Sequence, residues 1–395
     1  MSYTLISIII LLIILAIFLF INFDYSSKYK KTDKDLYYEA LDQLLIGKLK
    51  ESYSTLRALI KSDTNNVKAY LKLGQVLREI GKPEKALKVH KNLLIRKDLN
   101  SYEKIELLKN ISQDYRYLNK IDEAIVQSLD IIKLDKHNEW ALNELIELYK
   151  LVNDWNSSKK YLQIFQKISG ELDSRILGLY VAKQGQVELN KGNFSNSRLL
   201  FEEALNMSND LAVCYKLIAD SYSIESEIMY HKSEEGDVES FLDDAKDLLS
   251  KALKMWVKYA QHKPNQSREV LHLIKDALFT LDRYSEFEFI LKDLVERDSR
   301  NFDALIDLAD YHSSQGENQK SISLLDSIKD VAKDSILAQM VRLKLKMNLS
   351  NETSESIKKE FNNLADQMSK TSSLSSSNLE DEDYLWLCNN DSQDK

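Results

Sequence analysis

Apolar side chains follow two regimes along this chain. From Thr4 to Phe23 they are almost continuous Ile, Leu and Phe, and no charged side chain precedes Asp24. A helix of that run, at about 1.5 Å per residue, is roughly 30 Å long, the thickness of a bilayer's hydrocarbon core. It is apolar on every side, whereas a soluble helix keeps a polar face. The run predicts a transmembrane helix over residues 1–23. A cleaved signal peptide fits less well, because no Lys or Arg precedes the run and no A-x-A site follows it. Lys28, Lys30, Lys31 and Lys34 then flank the membrane in a basic linker over residues 24–34. By the positive-inside rule they place everything beyond them in the cytoplasm.

From residue 35 to 369 the apolar residues recur instead at i, i+3, i+4 and i+7, the stripe of an amphipathic helix. The stripe itself repeats every 34 residues. Gly47, Ser52 and Leu56 return as Gly81, Ala86 and His90, and Ala40 returns as Gly74. Asn119 and Ala124 return as Asn153 and Ser158, and Gly185 and Gly192 restate the spacing of Gly74 and Gly81. Gly316 and Ser321 begin a late copy. Small residues at Gly74, Gly185, Ala86 and Ser197 allow two helices to approach closely. The Gly, Asn or Asp between them suits the left-handed backbone that ends a helix, and Pro83 suits a first helical turn. The pattern resembles the tetratricopeptide repeat, most clearly in Tyr70-x2-Leu73-Gly74-x2-Leu77…Gly81…Ala86…His90. That resemblance implies an all-α, superhelical solenoid of roughly eight repeats over residues 33–349, with a capping helix near 352–369.

Two departures from the period stand out. About four residues are added at Ile95–Ser101 and about fourteen around Ser223–Glu239, which is expected to form a loop on one face of the solenoid. After Met368 the chain becomes Ser-rich and then acidic, so residues 370–395 read as a flexible tail. Within it, Tyr384–Cys388 is a short apolar tip, either a segment that docks on the protein's own repeats or a frayed end.

Composition narrows the function. At typical usage about 28 Gly and 20 Pro would be expected, yet the chain has 9 and 2. Such scarcity of breakers fits an all-helical chain and excludes a β-sandwich or barrel. No two glycines lie closer than seven residues, which removes both G-x-G-x-x-G and the phosphate-binding loop G-x-x-x-x-G-K. Two distant cysteines and six scattered histidines offer no metal-ligand spacing. The net charge of −8 disfavours nucleic acid. No catalytic residue, cofactor, metal or small-molecule substrate is expected; the partners are other proteins. His90 takes the large packing position of its repeat and reads as a core residue, as does Cys214. The adjacent carboxylates Asp243-Asp244 and Glu202-Glu203 diverge around a helix and read as solvated.

The repeat register turns Lys72, Gln75, Arg78, Lys109, Gln113, Arg116, Asn143 and Glu147 toward the concave wall. These are the expected partner contacts, with the cations suited to acidic side chains or a terminal carboxylate of an extended peptide.

The order of parts also resembles the lipopolysaccharide assembly protein B family. The likeness runs through Lys61-Ser62-Asp63-Thr64 into Ala69–Gly74, then Ala86–His90, then Tyr102-Glu103-Lys104 into Gln113-Asp114-Tyr115. It covers most of the chain and is specific mainly over residues 1–165. It implies an inner-membrane adaptor, facing the cytoplasm, that helps a membrane AAA protease degrade the deacetylase leading to lipid A. That family ends in a rubredoxin-like domain with two C-x-x-C pairs. Here Tyr384–Cys388 stands where its first strand would lie, and the single Cys388 cannot form a thiolate metal site. An alternative function of another class is a periplasm-facing component of envelope assembly.

Overall fold

Among the described residues eight at the turns between successive helices adopt positive φ, at 55–80°: Gly47, Gly81, Asn119, Asn153, Gly192, Asp282 and Gly316, which follow the repeat, and Gly170. Only glycine, or a short polar side chain able to bond locally, takes that conformation at low cost. The 34-residue period is therefore a period of helical hairpins. The computed structural model describes residues 13–18, 31–96, 98–236, 239–328, 336–349, 358–359, 361–364 and 382–389. Among them every regular element is a helix. They divide into two compact units, residues 1–152 and 153–395.

Unit 1 contains α1 (Asp33–Leu45), α2 (Leu49–Ser62), α3 (Val67–Glu79), α4 (Pro83–Leu94), α5 (Ser101–Tyr117), α6 (Ile121–Leu134) and α7 (Glu139–Leu151). The hairpins α1–α2, α3–α4 and α5–α6 pack in series, and α3 also lies against α5. Unit 2 contains α8 (Trp155–Ser169), α9 (Ser174–Asn190), α10 (Phe194–Met207), α11 (Val213–Gly236), α12 (Glu239–His262), α13 (Arg268–Thr280), α14 (Glu286–Arg297), α15 (Phe302–Ser314), α16 (Asn318–Ser327), α17 (Ile336–Leu349) and α18 (Glu382–Asn389).

The joints between hairpins have their own chemistry. Asp63, Asp135 and Asp298 each accept from the backbone N–H two residues on. Asn66, Asn138 and Asn301, three residues after each Asp, cap the next helix by accepting from the N–H of Ala69, Ala141 and Ala304. An Asp-x-x-Asn joint thus turns the chain and satisfies an orphan donor of the incoming helix, worth about 1 kcal/mol per cap.

Inside each hairpin a small residue faces a large one. Bare Gly74 receives the His90 ring and bare Gly185 the Phe201 ring, both fully buried. Ser52, Ser112 and Ser321 donate across their hairpins to the carbonyls of Ala40, Ala124 and Ala309. Leu56, Leu59, Leu73 and Val76 fill unit 1, and Trp256, Ile274, Phe287 and Leu291 fill unit 2. Each such side chain contributes roughly 1.5–3 kcal/mol by leaving water. Cys214 is buried among Leu179, Phe201 and Leu217, and Asp243, Asp244, Glu202 and Glu203 are exposed.

Several expectations meet the structure differently. The Ser223–Glu239 insertion is not a loop: it lengthens the hairpin, with α11 running to Gly236 and α12 starting at Glu239. The stretch has no Gly or Pro before Gly236, so nothing stops either helix. The anchor expected over residues 1–23 lies outside the described residues except for 13–18, which are helical. Among the described residues no helix is long and apolar enough to cross a membrane. Lys28 and Lys30 also lie outside them, whereas Lys31 pairs with Glu39 at 2.6 Å and Lys34 lies 5.9 Å from the Tyr38 ring. Of the capping helix expected near 352–369, residues 358–359 and 361–364 are described and helical. In the segment expected as a flexible tail, residues 382–389 are a helix packed within unit 2, which is the docked reading of Tyr384–Cys388 and not the frayed end.

Candidate functional site

On α3, Gln75, Arg78 and Glu79 share a face by their i, i+3, i+4 spacing; on α5, Gln113, Arg116 and Tyr117 do the same. Because α3 and α5 pack side by side, the two triplets meet. With Glu144 of α7 they line a groove of about 480 Å³ in unit 1. Four of the eight expected contact residues (Gln75, Arg78, Gln113, Arg116) are thereby brought together. The other four do not line it. Lys72 donates to Gln75 Oε1 at 2.8 Å, and Lys109 lies 5.1 Å from the Trp140 ring. Asn143 is exposed, and Glu147 pairs with Lys150.

The groove's floor differs from the sequence expectation. Arg78 is only 6% exposed, and Asp114, which is not among the expected contacts, is fully buried. Arg78 Nη1 donates to Asp114 Oδ1 at 2.5 Å and Nη2 to Gln113 Oε1 at 2.8 Å. The second Asp114 oxygen lies 2.5 Å from His90 Nδ1, and His90 Nε2 lies 3.3 Å from the Leu71 carbonyl. His90 is a core residue, as expected, but one tied into a polar network spanning α3, α4 and α5. Arg78 therefore does not offer a free cation to a partner; its charge is matched within the protein. Removing either member of such a buried pair leaves an uncompensated charge.

Arg116 remains as the groove's accessible cation. It is 43% exposed and reaches Glu144, itself 11% exposed, at 3.2 Å, so the guanidinium keeps an open face while it neutralises a carboxylate set into the wall. Gln75 donates to Glu79 at 2.9 Å, which places amide groups beside carboxylates along the wall. The surface can pair with a peptide backbone through amides and with an acidic side chain through Arg116. Among the described residues no group of three or more His, Cys, Asp and Glu is placed to hold a metal.

Unit 2 has a second feature that periodicity did not reveal. Helix α18 sits in a cradle made by α8, α9 and α11. The Trp386 ring lies 5.9 Å from that of Trp155 and 5.5 Å from that of Tyr180, and Trp155 and Tyr180 meet edge-on at 5.5 Å. Leu387 is fully buried in the cluster that holds Leu179, Val181 and Cys214. Lys183, 1% exposed, donates to the Leu387 carbonyl at 2.6 Å and to Gln186 at 3.0 Å. At the other end of the helix Asp383 pairs with Arg175. Lys216 lies 4.8 Å from the Tyr384 ring. The Tyr384 phenol is held above its ordinary value, first by the neighbouring Cys388 thiol and then by burial.

No protein-family model matches the chain. Lipopolysaccharide assembly protein B of Escherichia coli strain K12 is 21% identical over 122 residues, 31% of this chain and 31% of that protein. The protein of the same name from Escherichia coli O157:H7 matches equally. The chain thus spans about a third of the length of the curated relatives it matches. Among solved structures, a tetratricopeptide repeat protein from Parabacteroides merdae is 17% identical, covering 67% of this chain and 98% of that one, with a TM-score of 0.34. The MamA protein is 14% identical, covering 60% and 94%, with a TM-score of 0.28. The chain is an all-helical array of tetratricopeptide-like hairpins, similar over part of its length to lipopolysaccharide assembly protein B.

Proposed function

We propose that the protein is a non-catalytic adaptor, anchored by residues 1–23 in a bacterial inner membrane, whose unit 1 groove docks a segment of another protein in the cytoplasm. The observation that carries this reading is the meeting of Gln75, Arg78 and Glu79 with Gln113, Arg116 and Tyr117 along one polar groove. Two helices one repeat apart present matched triplets, as a surface that reads an extended chain requires. Amides recognise the partner's backbone and Arg116 its carboxylate, with Lys72, Lys109, Asn143 and Glu147 as outlying contacts. Similarity to lipopolysaccharide assembly protein B supports the finer reading: the adaptor regulates lipid A synthesis by bringing a biosynthetic enzyme to a membrane AAA protease. Anchoring holds both partners in a thin layer and raises their effective concentration without chemistry.

The test is photocrosslinking in cells from positions 75, 113 and 116, followed by mass spectrometry. Recovery of a membrane protease or a lipid A enzyme supports the proposal, and recovery of outer-envelope proteins alone overturns it. Alkaline phosphatase activity from a fusion after Lys395 would place the repeats in the periplasm and reject the cytoplasmic orientation.

A further inference from the structure

Helix α18 is only eight residues long, and an isolated helix shorter than about 12 residues is marginal in water. Its helicity therefore depends on what it sits in. The cradle supplies what a short helix lacks. Arg175 pairs with Asp383 in the first turn, and Lys183 caps a carbonyl of the last turn, where the helix dipole is negative. Between these ends Trp386 and Leu387 fill an aromatic and aliphatic slot. Asp383, Trp386 and Leu387 stand at i, i+3 and i+4, one face of the helix, which is the arrangement of a helix docked in a groove.

The cradle also uses the repeat's own partner-facing positions. Gly74 and Gly185 mark the same place in the repeat, so Lys183 and Gln186 are the counterparts of Lys72 and Gln75. In both units the lysine donates to the glutamine, at 2.8 and 3.0 Å. In unit 2 that lysine also holds the Leu387 carbonyl, so α18 occupies the wall that the repeat pattern assigns to other polypeptides.

We infer that the α8–α9–α11 cradle is a docking site for a helical segment of a partner protein, with an acidic residue followed three and four residues later by an aromatic residue and leucine, and that α18 holds this site as an internal competitor. The site is separate from the unit 1 groove. Because α18 belongs to the same chain as its cradle, it competes intramolecularly, at an effective concentration set by the residues that connect them. A partner must displace it, and severing the connection lowers that barrier.

The experiment introduces a specific protease sequence within residues 371–377 of the full-length chain. The purified protein, intact or cleaved, is then titrated into a fluorescein-labelled peptide of residues 380–391 and followed by polarisation. The cleaved protein should bind at least tenfold more tightly than the intact one. A peptide carrying Trp386→Ala and Leu387→Asp should lose at least tenfold in affinity, as should the wild-type peptide against cleaved Lys183→Met protein. Equal binding by intact and cleaved protein, equal binding of the two peptides, or no uptake at all would make α18 a fixed wall of unit 2 and overturn the inference.

Discussion

His90 fills the space that any side chain at position 74 would need: a Cβ added to Gly74 would lie 2.1 Å from His90 Nε2. The ring cannot step aside freely, because its other nitrogen is held by Asp114. Gly74→Ala should therefore destabilise unit 1 by about 1–3 kcal/mol, the usual cost of overpacking. The same change should cost less in a His90→Ala background, since the clash is then gone. Urea unfolding of the two singles and the double checks this, and additive costs would refute it.

Asp114→Asn should be more damaging than its conservative shape suggests. It leaves Arg78 charged, nearly buried and without its counter-ion. Loss of one partner of a buried pair costs about 3–5 kcal/mol. The double variant Arg78→Met, Asp114→Leu removes both charges and should recover much of that loss in the same unfolding assay.

Arg116→Gln should separate docking from folding. It removes the cation without setting a second carboxylate beside Glu144, which is 11% exposed, so stability should change by about 1 kcal/mol. Crosslinking to the partner from position 113 should fall sharply. Unchanged crosslinking would remove Arg116 from the docking surface.

Asp307 gives unit 2 a pH signature. Burial pushes its carboxyl from 3.8 up to about 6, against the lowering effect of Lys275 and Arg268 and with help from Asp310 and Asp303. Between about pH 4 and 6 the native state keeps a proton that the unfolded chain has released, so this group adds stability as pH falls through that window. Asp307→Asn should then stabilise the protein by up to about 3 kcal/mol at pH 7.5, at 1.36 kcal/mol per unit. That gain should shrink through the window and vanish below about pH 4. Denaturant midpoints of the two proteins from pH 3.5 to 7.5 measure the difference.

The hairpin register was legible because it rests on local chemistry. Gly47, Gly81, Asn119 and Asn153 announce their turns, and Ala40, Gly74 and Ser52 their close contacts. Four of the seven residues lining the unit 1 groove were legible for the same reason, since Gln75, Arg78, Gln113 and Arg116 follow from helical spacing. Asp114 was not. It lies in sequence between two groove residues and has no place among the expected contacts, because its burial is set by Arg78 and His90 arriving from other helices. Docking of Tyr384–Cys388 on the repeats was one of the two readings open to the sequence, but its helical form and its cradle were hidden: eight residues carry too little periodicity, and the helices that order them lie about two hundred residues upstream. The lengthened α11–α12 hairpin did have a signal, the lack of any breaker before Gly236.

An array of related hairpins has an ordering problem that an ordinary core lacks. Hairpins that share a small-against-large contact, as those of Gly74 and Gly185 do, offer similar surfaces to a neighbour. The Arg78–Asp114–His90 node answers this in unit 1, because its three members come from successive helices and each needs the other two. A mis-stacked arrangement would strand a charge away from water, and the penalty for that far exceeds the difference between one leucine slot and another. The node thereby acts as a key between the α3–α4 hairpin and α5.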